Sequence, residues 1–276
     1  MFRFSPEVAS CGPDAPHKRR RMTHEEFLAR QLHQGKSVSP LFSVQGVTTD
    51  IFRRDWLHCA DQGVSADFIG NVFHHFCSIL PGANKRDRRA FLLQQIQDWY
   101  QEAGVTDRLV GLRSWGIRAP KKSPKLKSSA AACRALVPFT HVKCVEYLDA
   151  ADPVEGAIIL ASAALKECYD CLSDDAENWS DRLLRASEDF ALQCDALRVA
   201  AGESNTWVIK PKMHHFIELC SSASKPSLSW TYRDEDYGGS IAQLCRIKGG
   251  AWSKVSSYCS RVLLLFKTQN PVPRIV

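Results

Sequence analysis

A mainly helical α+β chain is expected from three features of the sequence. Apolar residues recur at alternating intervals of four and three over two long stretches, 154–172 and 183–201. Capping signals and Pro or Gly stops punctuate the chain at helix-sized intervals. Two short runs, Trp207 to Ile209 and Leu228 to Tyr232, are β-branched or aromatic and bounded by Pro or Gly, which is strand character.

In chain order, residues 1–22 read as a disordered basic tail, broken by Pro6, Gly12, Pro13 and Pro16 and carrying the basic run Lys18 to Arg21. That run suits a nuclear-localisation signal or a DNA-contacting arm as well as a solvated tail. Thr23-x-x-Glu26 is a capping box that starts a helix running to about Gln34, before Gly35. Residues 36–54 are irregular or extended, with Leu41, Phe42 and Val44 as strand candidates, and Asp55 to Asp61 begins a helical turn. Ser65 is expected to cap a helix carrying Phe68, Val72, Phe73 and Phe76 to a stop at Pro81 and Gly82.

A helix over about 85–103 follows from Leu92, Ile96, Trp99 and Ala103. A Pro- and Lys-rich connector, 119–127, leads into a helix from Ser128 that Pro138 should interrupt. Val154, Ile158, Ala161, Leu165, Cys168 and Leu172 then face Leu183, Ala186, Phe190, Cys194, Leu197 and Ala201 across a helical hairpin, or share a core with them. Helices are expected again over 234–247 and 252–267.

Composition narrows the function classes. No window approaches the roughly 18 apolar residues of a membrane span, and the N-terminal residues lack the apolar core of a secretory signal. With the basic run, this predicts an intracellular, nuclear protein that does not partner a membrane. The 11 cysteines are odd in number and irregularly spaced, so reduced, buried thiols are expected. Cys168-x-x-Cys171 has no second ligand pair nearby and reads as core, not as a zinc site. The net charge is +6, yet between Asp107 and Glu146 no acidic residue occurs. That stretch holds Arg108, Arg113, Arg118, Lys121, Lys122, Lys125, Lys127, Arg134 and Lys143, a patch suited to a polyanion. No Walker loop, dinucleotide fingerprint, G-x-S-x-G or kinase motif appears, which disfavours nucleotide-driven and serine-hydrolase chemistry.

Three segments are candidates for chemistry. The first is Asp55-Trp56-Leu57-His58 followed by Asp61-x-Gly63-Val64, preceded by Ser39-Pro40-Leu41-Phe42 and Gly46. In a helix Asp55 and His58 share a face, and an early-turn carboxylate also complements the helix dipole. The second is Lys210-Pro211-Lys212-Met213-His214-His215. The third is Trp230-Thr231-Tyr232-Arg233-Asp234-Glu235-Asp236-Tyr237-Gly238-Gly239.

Taken in order, these segments resemble the C-terminal part of cut-and-paste transposases of the CACTA (En/Spm) type and their Plavaka and Kyakuja-Dileera-Zisupton relatives, over roughly 39–250. The resemblance implies a ribonuclease H-like core interrupted by a long helical insertion. Its parts would be 23–64 and 206–270 as the two portions of the core and 65–205 as the insertion. It implies Asp55 and Glu235 as catalytic, magnesium-binding carboxylates in a two-metal phosphodiester reaction, with His58, His214 and Asp234 as accessory groups. Arg118, Lys121, Lys122, Lys125 and Lys127 would contact the partner, DNA.

The sequence also departs from the pattern. Leu57 replaces the more usual Met, and Asp236 stands where a basic residue is common. Upstream of Asp55 only Asp14 and Asp50 are found, and residues 36–54 are too few for three strands of five or six residues each. The core is therefore expected to be incomplete, without its first catalytic carboxylate, and the chain to bind DNA without cleaving it alone. The competing reading is a helical interaction module, not an enzyme, whose basic surface binds RNA or acidic partners.

Overall fold

Thr23 and Glu26 exchange the two bonds of a capping box at the start of the first helix, α1 (His24–His33). The Thr23 hydroxyl accepts from the Glu26 N–H at 3.2 Å, and the Glu26 carboxylate accepts from the Thr23 N–H at 2.8 Å. The structure is a computed structural model and describes residues 22–51, 54–109, 123–173, 176–222, 224–228, 230–232 and 238–239. The chain divides into two units, 1–230 and 231–276, and every helix named below belongs to the first. After α1 come a π-helical segment (Leu57–Ser65), α2 (Ala66–Ile79), α3 (Lys85–Glu102), α4 (Ala130–Tyr147), α5 (Pro153–Ser173), α6 (Trp179–Ala201) and α7 (Pro211–Cys220).

Helices make up 70% of this structure, and among the described residues there is no strand. The expected α+β class and incomplete ribonuclease H-like sheet are thus corrected to an all-helical arrangement. In the strand candidates the rings of Phe42 and Trp207 pack against helices, while Leu41, Val44, Val208 and Leu228 are exposed, so these short apolar runs reflect local packing of single rings and not strand pairing. Leu41 and Phe42 lie in a 3₁₀ turn (Pro40–Ser43), where the Phe42 ring meets His24 and Phe27 of α1 at 5.2 and 5.7 Å. The backbone N–H of Trp207 donates to the Asn71 side chain at 2.9 Å, and its ring packs on Phe68. Leu228 ends another 3₁₀ turn (Pro226–Leu228) and is 81% exposed.

The helical expectations fare better. The hairpin is present as α5 and α6, with Ile158, Ala161, Leu165, Cys168 and Leu172 buried along one helix. Leu183, Ala186, Phe190, Cys194 and Leu197 are buried along the other. α2 is the central helix: Phe68, Ile69, Val72, Phe73 and Phe76 are all buried, each contributing about 1.5–3 kcal/mol of transfer free energy. α3 supplies Leu92, Ile96 and Tyr100 at four-residue spacing, while Ala103 caps its end in solvent. α4 runs unbroken through Pro138, contrary to the expected interruption. Leu136, Val137 and Phe139 are buried around that proline, and their packing holds the helix where one backbone bond is missing. The cysteines at 59, 77, 133, 144, 168, 171, 194 and 220 are free and buried, as expected of core thiols. Among the described residues no helix is long and apolar enough to cross a membrane.

One contact fixes the route of the chain into α4. The backbone of Lys125 and Leu126 lies directly on α2 at Gly70, where a Cβ would fall 2.4 Å from Lys125 Cα and 2.5 Å from Leu126 N. The Leu126 N–H donates to the Ala66 carbonyl at 2.8 Å, and Asn71 Nδ2 donates to the Pro124 carbonyl at 3.2 Å. Gly70→Ala should therefore push backbone off backbone and cost about 1–3 kcal/mol or more. The check is the urea midpoint. A variant as stable as the parent would show that the connector does not lie on α2.

Candidate functional site

Two of the three motif segments, about 150 residues apart in sequence, meet in the fold. The first spans the approach to the π-helical segment and the segment itself, and the second opens α7. Asp55 starts the helical turn: its Oδ2 accepts from the His58 N–H at 3.0 Å and lies 2.5 Å from His58 Nδ1. Asp55 thus does what an early-turn carboxylate does, holding a helix start together with a partner three residues on. The His58 side chain is 56% exposed, whereas that of Asp55 is 14% exposed.

The next residue inward, Trp56, is fully buried between Tyr169 of α5 and Phe216 of α7, edge to face at 5.4 and 5.5 Å. One turn further, the buried Asp61 carboxylate accepts from the Tyr169 hydroxyl at 2.5 Å. The Ser65 hydroxyl lies 2.8 Å from the same phenol oxygen. The expected Ser65 cap of α2 is not formed. Instead the Ser65 backbone is helical and its hydroxyl serves this buried network. The π-helical segment is kinked at Gly63, whose φ of −104° and ψ of −107° leave the helical region. A Cβ at Gly63 would sit 3.0 Å from both the His58 carbonyl and Lys212 Cδ. That clearance lets the Lys212 ammonium reach the His58 carbonyl at 2.7 Å. π-helical turns of this kind are frequent at functional sites.

α7 starts at Pro211, with its fixed φ, and presents His214, His215 and Glu218 at neighbouring positions of one turn. Arg54, from the first motif region, donates through Nε to His215 Nδ1 at 2.8 Å and pairs through its terminal nitrogen with Glu218. Glu218 Oε2 also lies 3.5 Å from His214 Nε2 and 3.8 Å from His215 Nδ1. Burial, reinforced by the Arg54 charge, pushes the His215 pKa down, so the ring is neutral near pH 7. Neighbouring cations are tied to Asp67 of α2: Lys210 Nζ lies 2.6 Å from it and Lys125 Nζ 3.7 Å.

Asp55, His58 and His214 therefore belong to one region, while Asp234, Glu235 and Arg118, Lys121 and Lys122 lie outside the described residues. The basic run Lys18 to Arg21 and the expected helices over 234–247 and 252–267 also lie outside them. Of the remaining basic residues, Lys125 reaches the Gln62 carbonyl at 2.6 Å and Lys127 is exposed. Arg134 stacks on Trp230, and Lys143 bonds Gln95 and Glu146. Sequence reasoning missed Arg54, Tyr169, Glu218 and the pair Gly70-Asn71. A signal existed for two of these features. Gly-Asn inside an apolar helical run marks a close approach, and His-His-x-x-Glu is a three-residue convergence on a helix.

The buried hydroxyl and thiols predict alkaline lability. Burial, with the Asp61 charge, holds the Tyr169 pKa well above 10, and burial raises Cys144 to about 12 and Cys133 and Cys168 well above 9. These groups stay protonated when folded but ionise when unfolded, so their stabilisation is complete below about pH 9 and is lost as pH rises. Each contributes a slope of up to about 1.4 kcal/mol per pH unit in that window. The urea midpoint should fall steadily from pH 9 to 11, and Tyr169→Phe should remove the tyrosine share above pH 10. A midpoint that rises over this range would contradict the buried, protonated assignment. No family model, no curated protein and no solved structure matches the chain, so the meaning of this region rests on its own residues.

Proposed function

We propose that the chain derives from a cut-and-paste transposase and binds DNA without cleaving it alone. One observation carries this reading: the two described motif segments of the transposase resemblance converge, through Trp56 on Phe216, Lys212 on the His58 carbonyl and Arg54 on His215 and Glu218. Motifs that are functional parts of one site must converge, as these two segments do. The reading carries no ribonuclease H-like sheet with it. Its DNA contacts are Arg118, Lys121, Lys122 and Lys127, with Lys125 fixing the connector on α2. On this reading Asp55 is a magnesium ligand, with His58 and His214 in the same region.

A second reading, the helical interaction module, is favoured by exposed apolar residues on the hairpin. Leu192 and Val199 lie one heptad apart on α6 and are 65% and 64% exposed, and Leu160 on α5 is 57% exposed. Such residues suit a protein partner better than a phosphate backbone.

Salt dependence of duplex binding, followed by fluorescence anisotropy, separates the two. The quadruple variant Arg118→Gln, Lys121→Gln, Lys122→Gln and Lys127→Gln spares the structural Lys125. Each phosphate that the variant leaves unneutralised should flatten the slope of log affinity against log salt by about 0.9, with equal weakening on all sequences. An unchanged slope, or no duplex binding by the parent chain, would favour the interaction module.

A further inference from the structure

His214, His215 and Glu218 place three ligand atoms within 4.8 Å of one another on a single turn of α7. We propose that this turn is a binding site for a borderline-soft divalent transition metal such as zinc, cobalt or nickel. It does not depend on the transposase reading.

Helix geometry explains the convergence. Position 218 is four residues after 214 and three after 215, so its side chain falls between the two imidazoles. Ligand atoms around a tetrahedral metal, at about 2.0–2.2 Å each, are separated by about 3.3–3.6 Å. The carboxylate oxygen already lies 3.5 Å from one imidazole nitrogen and 3.8 Å from the other. The three ligand atoms lie within 4.8 Å of one another, so metal binding must draw the adjacent imidazoles together by up to about 1 Å through rotamer changes. Two imidazoles and one carboxylate select zinc-like metals over magnesium, which prefers oxygen.

The site is partly enclosed. The side chains of His214 and Glu218 are each 15% exposed, and His215 is 43% exposed. Solvent therefore reaches one side, where a fourth ligand such as water would bind. The Arg54 guanidinium stands where the cation would. It donates to the same His215 Nδ1 and pairs with the same Glu218 oxygen that a metal would use. Because Arg54 Nε–H is the donor, His215 Nδ1 carries a lone pair and needs no deprotonation to ligate. Metal binding displaces Arg54, which is itself exposed and can swing into solvent.

The test is a titration of the full chain with Co2+, read by its visible d–d absorption, followed by competition with Zn2+. The parent should bind one equivalent more than His214→Ala, His215→Ala or Glu218→Gln, the difference isolating this site from any thiol that also binds. His215 is a surface side chain, so His215→Ala keeps the test valid if the other variants lose fold by circular dichroism. Arg54→Ala should bind about tenfold tighter or more, since a competing charge a few Å from the metal is gone. Equal stoichiometry in the parent and His215→Ala, absence of Co2+ absorption up to about 1 mM, or no tightening in Arg54→Ala would each overturn the proposal.

Discussion

The Tyr169 hydroxyl is the contact on which the arrangement of the site depends. Asp61 is fully buried, and a carboxyl group in that environment is costly without a strong donor. Tyr169 supplies that donor from α5, Ser65 completes the group, and Trp56 packs across the Tyr169 ring. The π-helical segment is thereby fixed to the hairpin. Its first turn, with Asp55 and His58, and its last, with Gly63, are held where α7 can reach them. A buried polar network of this kind specifies one register, because sliding the segment by a residue would leave the carboxylate without its partner.

Around this point the fold works as nested clamps. Asn71 on α2 holds both the end of the Lys-rich connector and the loop at Trp207, one through its amide nitrogen and one through its oxygen. Asp67, one turn earlier, receives Lys210 and Lys125 from the same two segments. Two segments more than 80 residues apart are thus joined across four residues of one helix. Among the described residues, the cations that the sequence offers as a polyanion patch are therefore of two kinds. Lys125, Arg134 and Lys143 serve the fold through internal contacts, and Lys127 points outward.

What is legible in the sequence follows from which forces are local. The capping box at Thr23 and Glu26, the stripe on α3 and the α5–α6 hairpin depend on i to i+4 spacing, and each is found in its expected place, with the second hairpin helix starting four residues before its first stripe residue. The expected strands fail because a short apolar run looks alike whether it pairs with a strand or lies on helices, as Trp207 does on Phe68. Ser65 departs from its expected role because the hydroxyl that would cap a helix is drawn to a phenol 104 residues away. Pro138 does not break its helix because tertiary packing overrides a local breaker. At the site, the spacing of Asp55 and His58 is legible. The roles of Arg54 and Tyr169 are not, since both act across more than 100 residues and have no local signature.

Asp61 and Tyr169 must act as a coupled pair if they anchor the site in this way. A double-mutant cycle on urea stability, with Asp61→Asn, Tyr169→Phe and the double variant, measures that coupling directly. The structure predicts an interaction energy of about 1–3 kcal/mol, the range of a buried bond to a charged acceptor. Additive effects, within about 0.3–0.5 kcal/mol, would contradict it and detach the π-helical segment from the hairpin.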